Sequence, residues 1–417
     1  MTPKSKPFYG WIIVFIAFLS ITTYGLFYSY SVFLGPLEAE LHTTRTAISA
    51  TYTIYMAVYS CCAILMGSLS DKHGPRKALL LAALLIGCGI TLCSFTTTIW
   101  QLYLFFGVIA AIGHGAIYIV PASTINRWFI QRKGLAVGLA ASGIGVGLLL
   151  VPRITVQIIT VHGWQMAFVI LGVTFFVINV ITSIFIRGRP EDKGLRPLGE
   201  ELSSSKHRSS NAKDFSVAET VKTRTFWLLY LICVFCFAAE QMVLVHIIPY
   251  SGAIGISATK AALGLSFLGV GTIIGRVSTG ALSDRIGRVP TLVMCCCIET
   301  VAIFCLLVVN SPGTLYLTML LLGFGYGGWV VSSTIMLGDF FGLRNLGAIM
   351  GVWFTHGVPA GILGPLMGGI VFDFTGSYFL AIVIAGIICV VAIILAALIK
   401  PPQKPPHPEP VKIEQVG

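Results

Sequence analysis

Residues 67–77, GSLSDKHGPRK, and residues 280–288, GALSDRIGR, are one phrase written twice. Gly67 pairs with Gly280, Asp71 with Asp284 and Gly74 with Gly287, so the offset is 280 − 67 = 213. A second pair, NRWFIQRKGLAVG (126–138) and DFFGLRNLGAIMG (339–351), repeats at nearly the same interval, with Arg132 to Arg344 giving 344 − 132 = 212. Two unrelated phrases with one shared spacing make the chain a duplication of a unit of roughly 200 residues. In a membrane protein, a parallel repeat of that size builds two six-helix halves around a midplane site.

The composition agrees with a membrane protein. The 417 residues are 56% hydrophobic and 10% charged, with a mean hydropathy of +0.89, too little charge to cover a soluble surface. A spanning helix needs about 20 mostly apolar residues. Twelve such stretches are predicted, near 9–37, 46–70, 77–95, 99–123, 133–159, 165–186, 225–250, 258–283, 290–309, 313–337, 345–371 and 377–399. Pro36, Pro121, Pro152, Pro249, Pro359 and Pro365 are the predicted kink points of the longer ones. The expected fold class is an all-α membrane protein of twelve transmembrane helices in two pseudo-symmetric six-helix bundles. Residues 1–187 form the N-terminal bundle, 188–224 a Ser-rich basic cytoplasmic linker with some surface helix, 225–400 the C-terminal bundle and 401–417 a disordered cytoplasmic tail.

The net charge of +11 invites a nucleic-acid reading, but its distribution excludes one. With those spans, 23 of the 27 Lys and Arg fall on one side, Arg45 and Lys260 on the other, and Arg153 and Arg276 within helices. That asymmetry is the positive-inside rule. It places both termini in the cytoplasm, in the cell membrane, with anionic lipid as the partner of the basic surface. The first apolar stretch lacks an A-x-A-like cleavage site and is too long for a signal peptide, so it is read as a retained first helix.

The eleven cysteines fall almost wholly inside predicted helices. Cys233 and Cys236 have redox spacing, yet in an apolar span they are read as small hydrophobic filler. No metal or cofactor motif is expected. Gly143-x-Gly145-x-Gly147 follows no strand and is not a nucleotide loop. With Gly138 and Ser142, and with Gly357, Gly361, Gly364 and Gly368 in the eleventh helix, it instead allows helices to pack closely and slide.

The repeated phrase G-x-L-x-D-x-x-G with its trailing basic residues resembles the loop signature of the major facilitator superfamily, and the twelve spans agree with it. The resemblance covers the whole chain and implies an alternating-access transporter, not an enzyme. Asp71 and Asp284 can accept charge-assisted hydrogen bonds from Arg side chains and helix N-termini. With Arg76, Arg132 and Arg288 they are the expected gate of the cytoplasmic side.

Arg276 lies eight residues before Asp284, about 12 Å along a helix and deep in the bilayer. A guanidinium there needs a partner, and the two candidates are an anionic substrate and a structural ion pair with Glu240. His356 lies twelve residues past Arg344, about 18 Å in. It can carry a proton or donate to a carboxylate, or it can simply bond a backbone carbonyl. His114 maps onto Tyr326 by 326 − 114 = 212, and both are candidate cavity walls. Tyr24, Phe27, Tyr28 and Tyr30 cluster on the first helix, and Tyr28, Tyr118 and Tyr326 are the tyrosines expected at the substrate. Glu240 is a candidate proton carrier, whereas Glu299, on an outer helix, is read as structural.

The run NRWFIQRKGLAVGLAASGIGVG and the opening Tyr9-Gly10-Trp11 resemble the monocarboxylate transporters. That family's helix 8 arginine, which engages the substrate carboxylate, falls on Arg276. Two of its features are absent: the acid expected four residues earlier is Thr272, and the helix 1 lysine position holds Tyr28. The oxalate/formate antiporters are also similar. Their arginine again matches Arg276, their aromatics match Tyr28, Tyr118, Tyr326 and Trp353, and their second cation falls on His356. One fixed charge suits a monoanion better than a dianion. The expected activity is proton-coupled symport of a small monocarboxylate such as lactate or pyruvate by a functional monomer, with Glu240, His356 and Arg276 as candidates for proton coupling. The alternative is organic anion exchange without a proton.

Overall fold

The computed structural model describes residues 8–43, 45–200 and 214–402, without the side chains of Tyr28, Arg45, Thr46, Ser49 and Ala258. The centre of the linker, 201–213, and nearly all of the tail, 403–417, lie outside the described residues. Among the described residues, eleven continuous helical runs are long and apolar enough to cross a bilayer. The longest, Lys133–Phe185, has 53 residues, about 80 Å of helix and more than twice the hydrocarbon thickness. It is two helices, because Gly163 breaks it with φ 83° and ψ 167°.

The helices are therefore α1 (Tyr9–Leu41), α2 (Arg45–His73), α3 (Pro75–Phe95) and α4 (Ile99–Trp128), α5 (133–162) and α6 (164–185). The second half repeats them as α7 (Arg224–Ala253), α8 (Ala258–Ile286), α9 (Arg288–Val308), α10 (Pro312–Phe341), α11 (Leu346–Thr375) and α12 (Phe379–Ala397). The duplication is visible in the backbone. Gly163 between α5 and α6 has its counterpart in Gly376 between α11 and α12, 376 − 163 = 213, also at positive φ. The glycines of the repeated phrase, Gly74 and Gly287, turn α2 into α3 and α8 into α9 at φ 87° and 96°, a conformation that a Cβ disfavours.

Outward faces carry large apolar side chains, Phe15, Leu65, Trp100 and Phe374 among them, the last 86% exposed. Such a girdle is stable only against lipid. The linker is anchored at both described ends. Leu198 bonds the backbone at the α4–α5 turn through Ile130 and Gln131, and Phe215 bonds the carbonyl of Phe341 at the end of α10. A short helix, Val217–Thr220, follows Ser216, whose hydroxyl accepts from the amide of Glu219.

The halves meet along two symmetry-related seams, α2 with α11 and α5 with α8. A Cβ on Gly67 would land on the carbonyl of Gly347, and one on Gly134 on the carbonyl of Gly280. Both pairs obey the repeat, since 280 − 67 = 213 and 347 − 134 = 213. Glycine is required there because the backbones touch.

Candidate functional site

The end of the bundle that carries the turns α2–α3, α4–α5, α8–α9 and α10–α11 is the basic end. There Asp71 accepts from Arg127 Nη2 at 2.6 Å and from the amides of Gly347 and Ala348 at 3.2 and 2.8 Å. A carboxylate of the N-terminal half thus caps α11 of the other half, where the helix dipole favours it. Asp284 does the converse. It accepts from the amides of Gly134 and Leu135 at the start of α5, at 2.9 and 3.2 Å, and from Arg288 Nη1 at 2.7 Å. A third acid, Asp339, bridges Lys133 Nζ at 2.6 Å and Arg288 Nε at 3.1 Å.

Two of the arginines expected in this cluster stand elsewhere. Arg76 donates to the carbonyls of Ser183 and Ile184 at the end of α6, within the N-terminal half. Arg132 is exposed at the left-handed turn before α5, φ 56°, and no ion pair to it is present among the described residues. Arg127, Lys133 and Asp339 occupy the positions between the halves instead. The offset alone points to Asp339, which repeats Asn126 (339 − 126 = 213) inside the second quoted phrase.

Further in lies a cavity of ≈ 70 Å³, lined by Arg276, His356, Tyr118, Tyr326 and a wall of other aromatics. Helix interruptions open onto it. α1 is broken at Thr23–Tyr24, α4 at Tyr118, and α11 at Thr355–His356, and Tyr24, Tyr118 and His356 all line the space. The break in α5 at Ser142 is the counterpart of Thr355, 355 − 142 = 213.

Arg276, on α8, is 0% exposed. Its Nη1 donates to the carbonyl of Ala141 on α5 at 3.1 Å. Its guanidinium carbon stands 5.3 Å from the centroid of the Tyr326 ring, a cation–π contact. Nε and Nη2 have no hydrogen-bond partner among the described residues. No carboxylate forms an ion pair with Arg276 among the described residues. The structural ion pair with Glu240 is therefore not made: Glu240 is buried in α7, its Oε2 unpartnered, and it is not among the cavity's lining residues.

His356 Nδ1 donates to the carbonyl of Trp353, one turn back, at 2.7 Å, and its ring lies 4.7 Å from that of Trp353. This is the backbone-bonded arrangement, and it fixes the proton on Nδ1 while the residue still lines the cavity. The Tyr118 hydroxyl meets Thr334 Oγ1 of α10 at 3.1 Å, a bond between the two halves. Tyr28 lies on α1, with its side chain outside the described residues. His114 is buried between the rings of Tyr24 and Tyr55 and is not a lining residue. Sequence reasoning missed Tyr55, Tyr59, Phe237 and Trp329, which complete the aromatic wall. Two signals were available: Tyr55 and Tyr59 are one helical turn apart, and Phe237 repeats Tyr24, 237 − 24 = 213.

Two six-helix bundles closed on a buried cation in an aromatic cavity define a membrane transporter of small molecules. The chain belongs to the Major Facilitator Superfamily, whose family model matches residues 10–298 and 230–416. It is similar to monocarboxylate transporter 12 of Xenopus laevis, 27% identical over 438 residues, covering 99% of this chain and 94% of that protein. It is also similar to the oxalate:formate antiporter of Oxalobacter formigenes, 24% identical, covering 93% of this chain and 91% of that one. Among solved structures, the proton:xylose symporter XylE superposes with a TM-score of 0.72 at 17% identity over 93% of this chain and 94% of its own, a likeness of fold alone.

Proposed function

We propose that the protein is a proton-coupled symporter of small monocarboxylates of the lactate and pyruvate type, working as a monomer in the cell membrane with both termini in the cytoplasm. The observation that carries this reading is Arg276, a fully buried cation with two unpartnered N–H groups and no acid paired to it among the described residues. A buried guanidinium without a carboxylate is costly, and a substrate carboxylate supplies the missing partner bidentately. Tyr118, Tyr326 and His356 shape the pocket around the organic body, and Tyr28 of α1 is proposed to join them. One fixed charge leaves the pair neutral for a monoanion, and a co-transported proton removes the net charge of the cargo. Glu240 and His356 are the residues proposed to carry it.

In this state the contacts of Asp71 and Asp284 hold the basic end shut. They must break for the substrate to leave on that side, which makes Asp71, Asp284, Arg288 and Arg127 the gate.

Radiolabelled L-lactate uptake into proteoliposomes tests the reading. Uptake should rise with an acidic exterior and collapse with a protonophore, and Arg276→Ala should abolish it. Uptake that requires internal formate or another acid and ignores the gradient would mean exchange, the reading favoured by the similarity to the oxalate:formate antiporter. Retained uptake in Arg276→Ala would remove both.

A further inference from the structure

Glu299, on α9, is 0% exposed, and among the described residues neither carboxyl oxygen has a hydrogen-bond partner of good geometry. It lies outside the cavity, so substrate does not explain it. A buried carboxyl group left unbonded is strongly disfavoured. Around it stand thiols from two other helices. One ligand atom each of Cys236 on α7, Glu299 on α9 and Cys389 on α12 lies within 4.8 Å of the other two, and all three residues are fully buried. A fourth group, Cys296, precedes Glu299 by three residues on the same face of α9, with its Sγ 3.9 Å from Cys236 Sγ.

We propose that this cluster is a zinc site of thiol and carboxyl ligands inside the C-terminal half. Tetrahedral zinc with Zn–S bonds of about 2.3 Å holds its sulfurs roughly 3.8 Å apart, and the Cys236–Cys296 spacing of 3.9 Å already fits. Two Cys and one Glu within reach of one another, with the Cys296 thiol beside Cys236, are a donor set that selects a soft or borderline cation over magnesium or calcium. Zn²⁺ binds thiolate and carboxylate, so as it enters each ligating thiol and the carboxylic acid give up one proton to solvent, and zinc uptake weakens as the pH falls. The ion would tie α7, α9 and α12 together behind the cavity. The sequence hid this site because its ligands are spread from 236 to 389, and the CxxC spacing of Cys233 and Cys236 is incidental to it. The equivalent N-terminal positions of Cys236, Cys296, Glu299 and Cys389, by the offset of 213, are Thr23, Ala83, Ile86 and Phe176, so only one half has it.

The test uses the intact purified protein in detergent. Metal analysis after incubation with zinc and desalting should find about one zinc per chain, falling at least tenfold in Cys236→Ser and Cys389→Ser. Cys305→Ser, in a half-buried cysteine outside the cluster, should keep it. Because a cluster variant can misfold, the wild type is also stripped with chelator and titrated with cadmium(II). The site predicts an ultraviolet thiolate-to-cadmium band that saturates near one equivalent. No zinc and no such band in the wild type, or undiminished zinc in folded Cys236→Ser and Cys389→Ser, would overturn the proposal. None of these readouts involves transport, so the zinc site and the transport reading fail or stand separately.

Discussion

Ala63 and Arg276 are equivalent residues of the two halves, 276 − 63 = 213, and their backbones make the same contact. The carbonyl of Ala63 lies against Gly351 and that of Arg276 against Gly138, glycines that are themselves related by 351 − 138 = 213. The duplicated scaffold is thus kept to the level of single backbone atoms while the side chains diverge, a methyl group on one seam and a guanidinium on the other. The charge at the cavity is a departure from symmetry built onto a symmetric frame.

Arg276→Lys should not rescue the site. The arginine uses Nη1 on the carbonyl of Ala141 and its plane on Tyr326, leaving Nε and Nη2 for a ligand. A lysine ammonium has no plane to lay on the Tyr326 ring and no fixed fork to hold a carboxylate bidentately. Lactate uptake should fall at least about tenfold in Arg276→Lys and about 100-fold or more in Arg276→Ala, corresponding to the ~3–5 kcal/mol of a broken buried ion pair. Thermal unfolding should stay cooperative in both, and the substrate-induced rise in melting temperature should vanish in Arg276→Ala.

Asp71→Asn should loosen the basic end without unfolding it. The carboxylate accepts from Arg127 and from two amides of α11. An amide side chain keeps part of that bonding but loses the charge, a cost of about 1–3 kcal/mol. Hydrogen exchange should quicken by roughly 5- to 100-fold in the peptide containing Gly347 and Ala348, by the exponential relation of opening energy to protection. Arg127→Ala should do the same. Exchange in α9 and α12 should not change.

Gly134→Ala acts on the same equilibrium from the other seam. Its Cβ would meet the Gly280 carbonyl, a backbone atom that cannot rotate away. Gly35→Ala is the control, because nothing lies within 4 Å of the added carbon. A cysteine in place of Asp339 should react slowly with a membrane-impermeant maleimide in the Gly35→Ala background and faster in Gly134→Ala, where the seam is forced apart.

How much of this was legible in advance follows from what sequence spacing can encode. The twelve helices and the two halves were, since apolar length and a fixed repeat survive in one dimension. The break at Gly163 within a helical run of 53 residues falls in the gap between the predicted stretches 133–159 and 165–186. Arg276 stood out because a charge inside an apolar helix needs no partner to be noticed. The contacts of Asp339 with Lys133, 206 residues away, and of Tyr118 with Thr334, 216 away, were not legible, since packing between halves sets them. Arg76 illustrates the limit. It belongs to the quoted phrase, yet whether it reaches α6 or the other half depends on a turn geometry that composition does not specify.

The bond between Tyr118 and Thr334 allows the two roles of the tyrosine to be separated. Tyr118 lines the cavity, so its hydroxyl can touch substrate, but in this state it spans the halves to Thr334 Oγ1 at 3.1 Å. Thr334 keeps a second bond to the carbonyl of Val330, so losing the tyrosine leaves no orphaned group and should cost only about 0.5–1.5 kcal/mol. If the hydroxyl acts through this bond, Tyr118→Phe and Thr334→Val each shift transport by roughly 2- to 10-fold, and the double variant is no worse than either, the mark of a shared interaction. A direct substrate contact predicts otherwise: Tyr118→Phe raises KM, Thr334→Val leaves it unchanged, and the effects add. Measuring KM and maximal uptake for the four proteins of this cycle decides between a tyrosine that holds the halves together and one that holds the cargo.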